Sequence, residues 1–185
     1  ALYVAAGAWM LARGLFRKNS INFLLSGVFF MLSATIKQNW IAFIGFGGFM
    51  ITLTLLVRKW NIQGITWKAL LFYILGVILP FLCILIVAKA GGWWDEMIFW
   101  IYTYPKESYV SKLTFERGIG LLEGTLKRFN LYHYVFTVLC VLGLIATWLQ
   151  KFQPVWKIWI TLFFVTGWVA IAPGWRFYGH YWIYW

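Results

Sequence analysis

The run from Ala69 to Ala88 carries no charged side chain. A chain that contains such a run must bury it in a core or in lipid. A helix needs about 20 mostly apolar residues to cross the hydrocarbon of a bilayer, which this run supplies. Further apolar runs occupy 1–13, 20–36, 40–57, 131–149 and 158–173, and another opens near 177. Of the 185 residues, 63% are hydrophobic and only 11% are charged, against about 25% charged in soluble domains. So few charges cannot cover a water-facing surface around so many apolar blocks. Inside lipid every backbone amide needs a partner within its own segment, so helices are expected. The prediction is an all-α fold: a polytopic transmembrane helix bundle of about six spans plus the start of a seventh, forming a single transmembrane domain over 1–185.

Ala1 opens directly into apolar sequence with no basic region before it, so 1–13 reads as a span and not as a signal peptide. Trp185 falls within an apolar run. Both ends are expected to be internal to a longer parent, with further helices beyond them. Cys83 and Cys140 fall within predicted spans and read as small packing residues. They imply no disulfide framework, and with His133 and His180 they make no zinc signature.

Charge orients the chain. Half of the 16 basic residues sit in three short connections: Arg13, Arg17 and Lys18; Arg58, Lys59 and Lys68; Lys151 and Lys157. These alternate with 37–39, with the long stretch 89–130, and with 175–180, through which the other half is spread more thinly. All five acids (Asp95, Glu96, Glu107, Glu116 and Glu123) lie in 89–130. The denser basic group is expected in the cytoplasm, which puts 89–130, Lys37 and Arg176 on the outer face of the plasma membrane. The net charge of +11 follows from that anchoring and from contact with anionic headgroups, and does not call for nucleic acid. The 14 Trp and 10 Tyr suit the membrane interface.

The outer loop 89–130 is too aromatic for a floppy linker, with Trp93, Trp94, Phe99, Trp100, Tyr102 and Tyr104 near its start. Further on, Phe115, Ile119, Leu122, Leu126 and Phe129 are spaced 4, 3, 4, 3, one apolar stripe of a helix. An amphipathic helix of about 113–129 is expected in the outer interface, with Glu123 and Lys127 paired at i,i+4. Gly118, Gly120 and Gly124 weaken it by about 1 kcal/mol each if they are interior. Such a helix serves either as a packing connector or as a lid. Gly45-Phe46-Gly47-Gly48 reads as close helix packing, and Pro80 is expected to kink its span.

Three features recur in order along the chain: Ser33-Ala34-Thr35-Ile36-Lys37-Gln38-Asn39 ending a span; the span bearing Pro80, running into Ala90-Gly91-Gly92 and an aromatic loop that ends at Tyr109; and Gly174-Trp175-Arg176-Phe177-Tyr178-Gly179-His180-Tyr181 opening a span. Together they resemble the GT-C superfamily of integral membrane glycosyltransferases, most nearly bacterial members of the protein mannosyltransferase and aminoarabinose transferase type. The resemblance implies transfer of a sugar from a polyprenyl-phosphate donor to a lipid, glycan or protein acceptor on the extracytoplasmic face of the bacterial inner membrane. It puts the general base, an Asp or Glu, in an outer loop that precedes residue 1. It requires no cofactor, although some relatives in the superfamily use a divalent cation.

The chemistry of the residues is compatible. A departing lipid phosphate gains charge, which a preorganised cation stabilises. Lys37, Arg176 and His180 are the candidates for holding the donor phosphate, Arg176 and His180 being four apart. Interfacial snorkelling explains Lys37 and Arg176 equally simply, and His180 reads as an interface hydrogen-bonder or a phosphate contact. Tyr102, Tyr104 and Tyr109 are interface aromatics or acceptor contacts. Asp95 is the fallback catalytic carboxylate, although adjacent loop acids such as Asp95 and Glu96 are ordinarily solvated. Two other functions fit a chain of this class: a cell-surface polysaccharide ligase or polymerase, and a transporter or flippase of lipid-linked substrates. Transporters usually carry ionisable residues near the midplane of their spans, and the span centres here have none.

Overall fold

A computed structural model describes residues 2–57, 65–104, 106–107 and 115–171, and every regular element among them is helical. In order these are α1 (Leu2–Arg17), α2 (Ser20–Ile36), a 3-10 turn (Gln38–Trp40), α3 (Ile41–Leu56), α4 (Trp67–Ala90), α5 (Trp94–Ile98), a π-helical turn (Phe99–Thr103), α6 (Phe115–Leu149) and α7 (Pro154–Ile171). Contacts divide the chain into two units, Ala1–Ile101 and Tyr102–Trp185.

In the first unit α2 packs against α1, α3 and α4. Residue size decides how closely. Gly7 and Gly14 of α1 lie under the rings of Phe30 and Phe23. These pairs step in opposite directions along the two helices, so α1 and α2 are antiparallel. The buried Ser26 hydroxyl donates to the Gly7 carbonyl at 2.9 Å. Between the helices the Asn19 side chain caps α2 by accepting from Ile21 N–H at 2.9 Å. From α2, Phe30 stacks on Phe43 at 6.2 Å and meets Phe46 edge-on at 6.5 Å.

Helix α4 crosses α2 at two glycines. A Cβ on Gly27 would run into the Tyr73 carbonyl, and one on Gly76 into the Leu24 carbonyl. One turn away the Tyr73 ring fills the cleft over Gly47, and its hydroxyl donates to the Ile44 carbonyl of α3 at 2.7 Å. Pro80, four residues after Gly76, has no N–H to offer the Gly76 carbonyl, yet α4 continues through it as one helix.

Over the most apolar window of α4 only 11% of residues are buried, and the helix is long and apolar enough to cross a membrane. Ile74, Ile78, Leu79, Phe81, Leu82, Ile86 and Val87 all lie exposed on it. The hydroxyls of Thr52, Thr54 and Thr147 donate to carbonyls four residues earlier in their own helices, which satisfies them without water. Four shorter apolar helices, Ser20–Ile36, Ile41–Leu56, Thr137–Leu149 and Pro154–Ala170, accompany α4.

In the second unit α6 and α7 form a hairpin. The Lys157 ammonium donates to the Trp148 carbonyl at 2.7 Å and lies 5.8 Å from the centre of its ring, a cation placed at a helix C-terminus. The Trp148 indole N–H donates to Thr161 at 3.0 Å. Where a separate interfacial helix of 113–129 and a span of 131–149 are expected, one helix runs from Phe115 to Leu149. Between Gly124 and Gly143 the sequence has neither Gly nor Pro, so the change from amphipathic to apolar composition is not a helix break. The expected Glu123–Lys127 pair forms at 2.7 Å, with both side chains largely exposed.

Candidate functional site

The end of α4 is built to turn its chain back. The Gly92 N–H donates to the Lys89 carbonyl at 3.3 Å and the Trp93 N–H to the Ala88 carbonyl at 3.0 Å. Gly92 has φ +77. This is the Schellman pattern, with a left-handed residue that glycine adopts without steric cost. The motif brings the residue after it against the last turn of the helix. Accordingly the Trp93 indole lies on Gly91, where a Cβ would come within 2.5–2.7 Å of it.

From Trp93 the chain continues into α5 and the π-helical turn. Trp93, Glu96, Met97 and Trp100 are spaced i, i+3, i+4, i+7, which is one helix face. That face looks onto Cys83, Ile84, Val87 and Ala88 of α4, and the eight residues line an open pocket of about 480 Å³. Its volume falls in the range of small-molecule sites. Its surface is wholly apolar, made of aliphatic, thioether and indole groups, and Glu96 contributes its carbon stem and not its carboxylate. Among the described residues no cation pairs with that carboxylate. The pocket opens beside the exposed apolar surface of α4, so an apolar chain can enter it sideways.

The residues expected from sequence fall in several places. Asp95 is exposed and turned off the pocket face, as a helix neighbour of Glu96 must be. Lys37 caps the C-terminus of α2 in an extended conformation, its N–H donating to the Ser33 carbonyl at 3.0 Å. It is half-buried, burial pulls its amine below the ordinary lysine range, and it is not part of the pocket wall. In the second unit Tyr102 and Tyr104 are exposed, and the Lys106 ammonium lies 5.7 Å from the Tyr102 ring centre. Tyr109, Arg176 and His180 lie outside the described residues. Among the described residues no three His, Cys, Asp or Glu side chains gather as a metal site would need.

Sequence reasoning passed over the pocket, while Glu96, read as a solvated acid, is exposed. The signal was present in the spacing of 93, 96, 97 and 100, which repeats the helical period. Which surface that face would meet depends on the reversal at Gly92. Compared with protein-family models, curated proteins and solved structures, the chain matches none.

Proposed function

We propose that the chain is part of a multi-pass glycosyltransferase of the bacterial inner membrane, moving a sugar from a polyprenyl-phosphate donor to an acceptor at the extracytoplasmic face. The observation that carries this reading is the open apolar pocket between the last turns of α4 and the helix face that follows the Gly92 turn, beside a lipid-suited helix face. A lipid-borne substrate needs a dry wall for its chain, which this pocket offers. The resemblance of the Lys-Gln span end, the aromatic loop and the Arg-Phe-Tyr-x-His-Tyr run to GT-C enzymes supports the same reading.

In the proposed division of labour, Lys37, Arg176 and His180 hold the donor phosphate, since the pocket offers an anion no polar contact. The pocket seats the acceptor, with Tyr102, Tyr104 and Tyr109 as further acceptor contacts. The acceptor hydroxyl attacks the anomeric carbon, the bond from that carbon to the phosphate oxygen breaks, and the lipid phosphate leaves with the electron pair. The hydroxyl proton passes to a carboxylate base, which the resemblance assigns to an earlier outer loop and for which Asp95 is the alternative in this chain.

The test is sugar transfer by the full-length protein in membranes supplied with labelled polyprenyl-phosphate sugars. Transfer that collapses in Arg176→Ala, with weakened donor binding at matched expression, supports the reading. Absence of transfer from every donor by folded protein sinks it, in favour of transport or ligation of lipid-linked substrates.

A further inference from the structure

The end of α1 gathers three cations. Trp9, Arg13, Phe16 and Arg17 fall at i, i+4, i+7 and i+8, one stripe of the helix. Val4, Gly7, Ala8, Leu11, Gly14 and Leu15 make the opposite face, which is buried. Trp9 and Phe16 stand exposed on the stripe. Arg17 is exposed and Arg13 is half-buried. The Arg13 Nε is buried without a hydrogen-bond partner, which leaves a cation partly desolvated and unanswered. Lys18 follows at φ +56, a left-handed residue that turns the chain towards α2, its N–H donating to the Gly14 carbonyl at 2.8 Å. Among the described residues no carboxylate pairs with Arg13, Arg17 or Lys18, and none of the three side chains donates to a helix-end carbonyl.

We infer that this end of α1 holds the phosphate of an anionic phospholipid, with Arg13 and Arg17 on its oxygens, Lys18 adding charge and an acyl chain lying along Trp9. Arginine gives an oxyanion paired, charge-assisted hydrogen bonds, and an oxyanion at the Arg13 head offsets the cost of its half-burial. The exposed rings of Trp9 and Phe16 add an apolar surface beside the cations, which a lipid uses and a free phosphate does not. A zwitterionic headgroup carries its own ammonium, which competes with the arginines for its phosphate. The site is distinct from the donor-phosphate residues, because the 17 residues of α2 set it about 25 Å from Lys37. It stands whether or not the protein transfers sugar.

The full chain is placed in phosphatidylcholine vesicles with a trace of phosphatidylglycerol or phosphatidylcholine bearing a photoreactive diazirine in its acyl chain. After irradiation, mass spectrometry reads the yield of lipid adducts on α1. Wild type is expected to give about tenfold more adduct from phosphatidylglycerol than from phosphatidylcholine, and Arg13→Gln with Arg17→Gln should bring the two yields to parity. Lys68→Gln with Lys151→Gln removes the same charge at two exposed positions elsewhere and should leave the preference in place. Arg17→Gln alone, at an exposed position, should lower the preference about threefold, and it decides the matter where the double variant fails to fold. Equal yields from the two lipids in wild type overturn the inference. So does a preference that survives the arginine replacements, or one that falls equally in the lysine control. Loss of the adduct on adding millimolar inorganic phosphate also overturns it, by making the site one for a free anion.

Discussion

Gly27 of α2 and Gly76 of α4 meet backbone to backbone, each so close to the opposite helix that a single methyl group would strike a main-chain carbonyl. Such contacts let two helices approach within dispersion range without a hydrophobic drive between them. Gly76→Ala is therefore expected to destabilise the first unit by about 1–3 kcal/mol, the range of overpacking in a tight interface. Gly45→Ala, whose Cβ would meet open space on α3, should leave stability unchanged or raise it. Thermal unfolding of both variants in the same detergent separates crossing geometry from helix propensity.

The Tyr73 hydroxyl is the polar tie between α4 and α3. Tyr73→Phe keeps the ring over Gly47 but removes the bond to the Ile44 carbonyl. The expected loss is about 1 kcal/mol, as for a neutral hydrogen bond, measured by the same unfolding assay. A loss several times larger would mean that the ring itself shifts.

Gly120 and Gly124 stand in α6 with open space where a Cβ would go. Replacing each by Ala should stabilise the N-terminal half of α6 by about 1 kcal/mol. Slower amide exchange over 115–130 is the readout, and unchanged exchange would mean that this half gains nothing from helix propensity.

The Glu123–Lys127 pair gives that half a pH window. The hydrogen bond from Lys127, then its charge, holds Glu123 below its ordinary carboxylate range; the same two effects hold Lys127 above its own. A lowered carboxylate pKa means support that is present above the unfolded value of about 4.5 and lost as pH falls through the folded value. A raised amine pKa means support that is present below about 10.5 and lost as pH rises through the folded value. Helicity of α6 should therefore show a shallow plateau between these limits, flattened by high salt and by Glu123→Gln. Both groups are fully solvated, so the amplitude should be small; a deep transition would point to another group.

For Lys37 the sign is opposite to that of Lys127. Burial lowers its pKa, so the charged amine costs stability at neutral pH, and that cost fades as pH rises through the folded value towards 10.5. Lys37→Met should leave stability at pH 7 equal or higher. If the amine holds a donor phosphate, the same variant should raise the KM for donor about tenfold or more. A variant that is both stable and fully active assigns Lys37 to the interface alone.

Much of the helical layout is legible in composition. The run 20–36 is α2 to the residue, and 40–57 and 69–88 differ from α3 and α4 by one or two residues at each end, because the boundaries coincide with Lys37, Val57 and the glycines at 91–92. The 115–149 region is misread because polarity changes there without any residue that ends a helix. The pocket is half legible. Its α5 face is written in local spacing, but its partner face on α4 is fixed by Gly92 turning the chain and by Gly91 making room for an indole, and both are tertiary outcomes. Asp95 and Glu96 look alike in sequence; the turn decides that the carbon stem of Glu96, and no part of Asp95, lines the pocket.

The unbroken α6 has a mechanical consequence. Its 35 residues make a rod of about 50 Å, whereas the hydrocarbon of a bilayer is about 30 Å thick. Without a proline, a glycine pair or an inserted turn, such a rod does not bend through a right angle. It cannot lie flat on a membrane at one end and stand through it at the other. If its apolar end at Thr137–Leu149 is embedded, about 20 Å of helix bearing Glu116 and Glu123 extends past the hydrocarbon like a mast. That segment, whose Arg117, Lys127 and Arg128 outnumber its two acids, would then be held off the lipid at a distance set by helix length, where a tether or partner in the aqueous phase can reach it.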